Sequence, residues 1–366
     1  MIRNMPSEFP AGRSERFSVP PSRRGLTVIE VLVVLAVMGV LLALLMPAVQ
    51  SARAQARNLQ CQNHLKQLGL AAQNHLAVHR ALPMTRTRFR DGSGAVYPSI
   101  SSHVRLLPYL DQSDLYATIE FDHIGIDFPG QLPDSRKLVP GANTQPANQT
   151  ALKTTVPVFL CPADVQRIGG NNYRACMGYG PGIFGPKSNA LCPDPGNAAG
   201  AFVNGRGVRV SEIADGLSHT ILFSEQLIGD AQAERYTPWT DAFYYEGNLC
   251  SGEEARRQCG RFARADSAHD SFRGTTWLLG SWRQSWYNHV ATPNSNIPDC
   301  SAGSELMVGG GNGSYAARSY HTGGVNVVMV DGSARFVNEQ IDLAVWQAQS
   351  SRAGGEAVGD IAASHR

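Results

Sequence analysis

Histidine and acidic side chains could take part in catalysis or bind a metal ion, but in this sequence they do not cluster. A metal site needs three or four ligands with supporting hydrogen bonds. No local spacing in the sequence requires such a site, although scattered residues could supply ligands: Asp164, Asp215, Glu225 and His321. The sequence therefore predicts no catalytic residue, no metal and no other cofactor, and we expect a protein that is not an enzyme.

His321 has one further feature, because nine residues separate it from the pair Asp331 and Gly332. An Asp-Gly pair is explained by a turn, where glycine takes the positive φ that the turn needs. We expect the imidazole of His321 to hydrogen-bond the backbone of a loop. The glycine run at 309–313 has no Lys-Ser or Lys-Thr after it, so it is not a phosphate-binding loop.

The composition favours an exported, loop-rich β domain over a helical cytosolic enzyme. Apolar residues make up 43 % and charged residues 17 %, and there are 37 glycines. The formal net charge of +2 is too close to zero to indicate nucleic acid as a partner.

Seven cysteines occur without a Cys-x-x-Cys pair, which argues against a zinc ribbon or a thioredoxin-like motif. Outside the cytoplasm, cysteines commonly form disulfides. We predict that Cys61 pairs with Cys161, that Cys250 and Cys259 close a short loop, and that Cys300 pairs elsewhere. The odd count leaves at least one thiol unpaired in a monomer.

A membrane-length apolar segment follows a basic leader. Residues 31–49 contain no charged side chain. A helix over 26–49 would measure roughly 36 Å at 1.5 Å per residue, enough for a bilayer core of about 30 Å. Arginines dominate the leader, residues 1–25, so the N-terminus is predicted to stay in the cytoplasm. The chain would cross the inner (cytoplasmic) membrane once, with the remainder periplasmic or extracellular.

Glu30 is the unusual residue of this segment, because a lone carboxylate near the end of a membrane helix is costly and needs a reason. Two other interpretations of the N-terminus remain open. The small residues at 52–56 could form a signal-peptide cleavage site. The sequence Ser22-Arg23-Arg24 faintly resembles a twin-arginine export signal.

Helical periodicity continues beyond the apolar segment, and an amphipathic helix is predicted over 50–80. Six residues fall on one face, at separations of three and four: Cys61, Leu65, Leu68, Ala72, Leu76 and His79. Pro47 is expected to kink or break the helix, which should end before Leu82 and Pro83.

The head domain, residues 81–349, is predicted to be β-rich. Residues 220–225 form a good strand, and residues 325–330 and 333–337 flank Asp331 and Gly332 as a two-residue hairpin. Residues 350–366 are predicted to be a flexible tail. The fold class is therefore α+β, with a long N-terminal helix packed on an antiparallel, β-rich and loop-rich head.

Together these segments resemble the prepilin-like family called domain of unknown function fifteen fifty-nine, which is also described by an H-X9-D-G signature near the C-terminus. His321, Asp331 and Gly332 match that signature. The N-terminus resembles the cleavage and methylation site of type IV prepilins and pseudopilins. The other matching stretches are 25–30 (GLTVIE), 61–67 (CQNHLKQ), 105–110 (RLLPYL), 159–164 (FLCPAD) and 215–222 (DGLSHTIL).

The resemblance implies cleavage between Gly25 and Leu26 and methylation of the new amine on Leu26. Glu30 would then be the fifth residue of the mature chain, where the pilin glutamate pairs with the terminal amine of a neighbouring subunit. The implied partners are prepilin peptidase/N-methylase, the lipid bilayer and other pilin-like subunits. The resemblance implies no known activity for the head.

Two functions follow from the sequence. The first is a pilin-like or pseudopilin-like structural protein for surface assembly, secretion or display. The second is a monomeric, membrane-tethered protein that binds a solute or glycan. An aromatic cluster and the loops near His321 are the candidate binding surface of the second: Trp277, Trp282, Trp286 and Tyr287, with Arg283.

Overall fold

The structure is a computed structural model of the chain. It describes residues 27–85, 89–90, 96–97, 100–121, 146–164, 169–180, 200–203, 205–232, 234–245, 247, 249–261, 269–302 and 313–355. The chain divides after Ala52 into two compact units. Gly25, Leu26 and most of the 350–366 tail lie outside the described residues.

Helix α1, Val28–His79, begins in the first unit. It is long and apolar enough to cross a membrane, and its large apolar side chains between residues 28 and 49 are exposed. Helical structure continues through Pro47, so of the kink or break expected there the break does not occur. The missing N–H of proline removes one hydrogen bond, which a helix of this length tolerates.

In the second unit, α1 buries one face. Five of the six residues of the predicted face are buried: Cys61, Leu65, Leu68, Ala72 and Leu76. His79 is exposed at the last turn, so its assignment to that face is wrong, while Gly69, Ala71 and His75 are buried instead. The helix ends three residues before Leu82, as predicted. His75 Nδ1 lies 3.0 Å from the carbonyl oxygen of Ala81, just beyond that end.

The other helices of the second unit are short. They are α2 (Ser102–Leu106), α3 (Ser113–Ala117), α4 (Pro146–Leu152), α5 (Gly252–Arg261) and α6 (Leu343–Ala348). The strands are β1 (Phe89–Arg90), β2 (Val96–Tyr97), β3 (Tyr173–Cys176), β4 (Ile221–Glu225), β5 (Ala242–Tyr245), β6 (His269–Asp270), β7 (Trp286–Tyr287), β8 (Asp299–Ala302), β9 (Gly313–Ser314), β10 (Gly324–Met329) and β11 (Ala334–Asn338).

The described strands form a five-stranded sheet in the order β11-β10-β4-β3-β7, a four-stranded sheet in the order β6-β5-β8-β9, and the small pair β1-β2. The predicted α+β class is confirmed. The sheets are not purely antiparallel, however, because β3 pairs with β7 and β5 pairs with β8 in parallel. Parallel neighbours need long connections, and more than a hundred residues separate β3 from β7.

The hairpin of β10 and β11 is antiparallel, as predicted, but its loop is longer than two residues. The amide of Met329 donates to the carbonyl of Ser333, and the amide of Gly332 donates to the carbonyl of Met329. Gly332 has φ +84°, the left-handed conformation that closes such a longer turn. Asp331 Oδ1 accepts hydrogen bonds from the amide and hydroxyl of Ser333, which fixes the turn.

The aromatic cluster belongs to the core. Trp277, Trp282, Trp286 and Tyr287 are each at most 2 % exposed. Trp282 stacks on Tyr315, with ring centroids 4.9 Å apart. Arg283 forms an ion pair with Asp270 at 2.9 Å. Because these four rings are buried, they offer no open binding surface. Removing their apolar area from water stabilises the fold.

A disulfide joins Cys259 on α5 to Cys300 on β8. The expectation that Cys259 pairs with Cys250 is wrong, because α5 packs its buried face on β8 and brings Cys259 to that strand instead. Cys176, on β3, is outside any disulfide, and burial raises the pKa of its thiol to about 12. A thiol with such a pKa is unreactive near neutral pH.

Candidate helix-docking and processing sites

The N-terminus of α1 is capped by its own residues. The hydroxyl of Thr27 accepts from the amide of Glu30 at 3.3 Å, and the Glu30 carboxylate accepts from the Thr27 amide at 2.8 Å and from its hydroxyl at 2.9 Å. This reciprocal pair is a capping box, which satisfies donors that the first helical turn leaves unpaired. Glu30 therefore has hydrogen-bond partners within a single chain.

The Cys61–Cys161 disulfide, the pair named from the sequence, joins α1 to the segment before β3. Cα atoms of the two cysteines are 5.1 Å apart. Both residues are buried, and the next turn of α1 adds a second contact, since His64 Nδ1 lies 2.9 Å from the carbonyl oxygen of Leu160. The disulfide and this hydrogen bond fix α1 to the head at one level of the helix.

His321 and Glu225 lie beside this disulfide. Nε2 of His321 is 3.5 Å from Cys161 Sγ and 3.2 Å from Glu225 Oε1. Both side chains are buried, at 8 % and 1 % exposure of the residue. The expectation that His321 bonds a loop backbone is wrong, because its described partners are a sulfur and a carboxylate.

Asn326 on β10 holds the Glu225 carboxylate and also reaches α1. The backbone amide of Asn326 donates to Glu225 Oε2 at 2.7 Å. Its side-chain Nδ2 donates to Glu225 Oε1 at 3.2 Å and to Oδ1 of Asn58, on α1, at 2.6 Å. A buried carboxylate needs such donors, since an unpaired one would be strongly destabilising. The arrangement ties a buried acid–imidazole pair to the helix.

The other two ligand candidates of the sequence lie in different environments. Asp164 Oδ2 accepts from Asn172 and from the amide of Ile228, and it lines the same small cavity as Glu225. Asp215 instead accepts from Ser351, Gly354 and Gly355, near the C-terminal end of the described chain. Tertiary structure thus groups Glu225 and His321 with two cysteines and places Asp215 elsewhere.

The Asp-Gly turn also contacts α1, one level further along the helix. A Cβ atom added at Gly69 would lie 2.6 Å from Cγ2 of Val328 and 3.0 Å from the Cα of Gly332. Nε2 of Gln73 donates to the carbonyl of Val330 in the same turn. His321 and the Asp331–Gly332 turn, nine residues apart, therefore support two separate contacts between α1 and the head.

Gly69→Ala should reduce the free energy of unfolding by about 1–3 kcal/mol, the usual cost of overpacking. The added methyl must displace Val328 and the backbone of Gly332. Gly260→Ala, on α5, is the matched control, because nothing lies within 4 Å of its added Cβ. There we expect a gain of roughly 0.5–1 kcal/mol from helix propensity. Urea unfolding measures both variants, and equal effects would contradict the close contact.

No sequence pattern indicated Asn58, Gln73 or Asn326, which complete the contacts of α1. Polar residues at helical positions off the apolar face normally point to solvent. Gly69 carried a weak signal, since a glycine inside a predicted helix often has a packing reason.

Two models of known protein families match this chain. A motif described as a prokaryotic N-terminal methylation motif matches residues 20–46. Together with the exposed apolar part of α1, it defines a pilin-like protein that is processed by a prepilin peptidase and anchored in a membrane. A family described as "Protein of unknown function (DUF1559)" matches residues 50–344, and the chain belongs to this family. Comparisons with curated proteins and with solved structures each found no match.

Proposed function

We propose that the chain is cut after Gly25, methylated on Leu26, and held in the cytoplasmic membrane by residues 26–49. The N-terminus faces the cytoplasm, and the head lies on the outer side of that membrane. There it serves as a pilin-like or pseudopilin-like structural protein in surface assembly, secretion or display. The main support is that the apolar side chains of α1 between residues 28 and 49 are all exposed, in a segment that the methylation motif at residues 20–46 largely covers.

The role is proposed to be non-enzymatic. The two residues of the C-terminal signature with reactive side chains each have a structural partner. His321 is buried against Glu225 and a disulfide sulfur, and Asp331 fixes its own turn. The contacts around both residues attach α1 to the head, which is the task expected of a protein that presents a domain on a helical anchor.

Mass spectrometry of the mature N-terminus tests the processing step. We expect the first residue to be N-methylated Leu26. Gly25→Val should keep the full leader, because the peptidase accepts no bulky Cβ beside the scissile bond. Ala54→Val, which alters the small-residue site downstream, is the control and should leave processing unchanged. A mature chain that begins near Gln55 or Arg57 would show cleavage by a signal peptidase and overturn the proposal.

One observation favours the second candidate, a monomeric membrane-tethered binding protein. The Thr27 capping box satisfies Glu30 within its own chain, so that carboxylate does not need a neighbouring subunit to be partnered. In this case the anchor would hold one copy of the head at the membrane. A bound solute or glycan would have to contact loops of the head, since the aromatic cluster is buried.

Glu30→Ala separates the two candidates. If copies assemble through the glutamate–amine pair, the variant should lose intersubunit crosslinks in membranes while remaining inserted. Thr27→Ala is the matched control, because it removes the capping hydroxyl and leaves the Glu30 carboxylate in place. Crosslinking of Glu30→Ala at the parental level would favour the tether. Loss of crosslinks in Thr27→Ala as well would assign the effect to the helix cap.

A further inference from the structure

We infer that Cys61, Cys161, Glu225 and His321 form a binding site for one divalent transition-metal ion when the Cys61–Cys161 disulfide is reduced. Their four candidate ligand atoms lie within 4.8 Å of one another, and all four residues are buried. Two thiolates, an imidazole nitrogen and a carboxylate oxygen are ligands that Zn²⁺ accepts in a closed, four-coordinate site. The inference concerns the head and does not depend on processing or assembly.

The distances around His321 already suit a tetrahedral ion. With the usual Zn–S and Zn–N bond lengths, a tetrahedral centre separates its sulfur and nitrogen ligands by about 3.6 Å. Nitrogen and oxygen ligands of such a centre are about 3.4 Å apart. The structure has 3.5 Å between His321 Nε2 and Cys161 Sγ, and 3.2 Å between His321 Nε2 and Glu225 Oε1. The two sulfur atoms must separate, which reduction of their bond permits.

Outer contacts of the site hold the carboxylate in position. The backbone amide of Asn326 donates to Glu225 Oε2 at 2.7 Å, and Oε1 lies 3.2 Å from both Asn326 Nδ2 and His321 Nε2. Outer hydrogen bonds of this kind orient metal ligands and raise affinity. A cavity of about 10 Å³, lined in part by Cys161, Glu225 and Asp164, adjoins the cluster.

The local electrostatics also favour a cation. Glu225 and the imidazole of His321 are buried, and a buried carboxylate is destabilising unless positive charge or several donors compensate it. Two thiolates would add further negative charge after reduction. A divalent ion would offset most of the negative charge of the two thiolates and the Glu225 carboxylate. Protonation of both sulfur atoms would add no positive charge beside that carboxylate.

Reduction of the Cys61–Cys161 disulfide precedes binding of the ion. A phosphine reductant gives its electron pair to the S–S bond and takes oxygen from water, so it ends as the phosphine oxide. The two protons of that water go to the sulfur atoms of Cys61 and Cys161. The metal ion then displaces both thiol protons to solvent as it binds. In a cell, a dithiol reductant would supply the electrons and become a disulfide.

The consequence is a link between α1 and the head in both redox states. When oxidised, the two cysteines are joined by a covalent bond. When reduced, the same side chains would be joined through the ion, with ligands from α1, from the segment before β3, from β4 and from the loop before β10. A reducing environment that contains the metal would then leave α1 docked.

Cobalt titration of full-length protein in detergent tests the inference, with Co²⁺ as a spectroscopic substitute for Zn²⁺. After phosphine reduction and anaerobic removal of the reductant, we expect one equivalent of Co²⁺ to bind. The complex should show thiolate-to-cobalt charge-transfer and the visible bands of tetrahedral cobalt, which Zn²⁺ then displaces. The oxidised protein should show neither. Reduced protein without tetrahedral thiolate bands would overturn the inference.

Variants assign the signal to these ligands. Cys61→Ser with Cys161→Ser should abolish it, while Cys259→Ser with Cys300→Ser, the matched disulfide control, should retain it. Glu225→Gln keeps the shape of the side chain and should weaken cobalt binding by more than the roughly 10–100-fold that loss of an outer contact costs. Circular dichroism confirms that each variant is folded. Full binding by the Cys61/Cys161 variant, or unchanged affinity in Glu225→Gln, would overturn the inference.

Discussion

Replacing Asp299 with alanine is expected to lower the free energy of unfolding by about 3–5 kcal/mol, because two buried arginines lose their counter-ion. Asp299 begins β8 and is 1 % exposed. Its Oδ2 is 2.6 Å from Arg273 Nη1, and its Oδ1 is 2.9 Å from Arg318 Nη2. Both guanidinium groups are buried, so removal of the carboxylate leaves their charge without compensation and without water.

The position of this carboxylate explains why the effect should be large. The side chain of Gln226 and the amide of Ala316 also donate to Asp299. Arg318 in turn donates to the carbonyls of Ser295 and Ile297. One acid thereby links β8 with the residues that follow β4 and β9. Hydrogen-bonded networks of this kind lose more than one contact when a member is removed.

Urea unfolding of full-length protein in detergent measures the effect, and Glu212→Ala is the matched control. Glu212 forms an ion pair with Arg206 at 2.7 Å, but both side chains are partly exposed. Water screens such a pair, so we expect a loss below about 1 kcal/mol. If Asp299→Ala cost no more than Glu212→Ala, the buried network would not be a principal stabilising element of the head.

The same residue gives the head a dependence on acid. Burial alone would raise the pKa of Asp299, but Arg318 and Arg273 outweigh it and lower the pKa below the ordinary value of 3.8. The stabilisation is therefore complete above pH 3.8 and is lost as pH falls from there through the lower pKa of the folded state. Asp299→Asn should be less stable at neutral pH and should lose less stability over that acidic range.

Loss of the Cys61–Cys161 disulfide should have an effect of similar size. The bond closes a loop of 100 residues. Chain-entropy estimates for such a loop give about 4–5 kcal/mol, and measured losses of native disulfides are about 2–5 kcal/mol. We expect the double substitution Cys61→Ser with Cys161→Ser to lower the free energy of unfolding within this range. Urea unfolding without added metal ions measures it.

Hydrogen exchange shows where the stability is lost. In the Cys61/Cys161 variant, the amides of α1 from residue 53 to His79 should exchange faster, because the disulfide is one of the main contacts of that segment. The control is Cys259→Ser with Cys300→Ser, which opens a separation of 41 residues and releases α5 instead. Faster exchange of α5 and unchanged exchange of α1 are expected there. The same exchange pattern in both variants would contradict a specific role in docking α1.

Local sequence patterns predicted the elements that follow short-range rules. The apolar run at 31–49 and the spacing from Cys61 to Leu76 identified α1, because a helix repeats every 3.6 residues whatever its surroundings. The strand β4 and the pairing of β10 with β11 followed from apolar runs beside Asp-Gly turns. The predicted turn length was wrong, because Met329 pairs with Ser333 and Gly332, with φ +84°, closes a loop longer than two residues.

Contacts between residues far apart in the chain could not be predicted from local patterns. Examples are the parallel strand pairs β3-β7 and β5-β8 and the disulfide between Cys259 and Cys300. The burial of the tryptophans also depends on distant segments that pack around them. No periodicity records which of several cysteines or strands meet. His321 is an example, since the sequence places it before a strand but gives no indication that a carboxylate 96 residues away lies beside it.

Local sequence was enough to predict a methylation motif, a membrane-length helix and a β-rich head, because these properties depend on composition and on neighbours within a few residues. Which residues hold the part of α1 after Ala52 against the head became known only from the folded chain. There, Glu225 and His321 lie at a disulfide on one turn of α1, and Gly332 contacts Gly69 on another. Packing brings together side chains that are far apart in the sequence, and once they are buried their polar groups need partners.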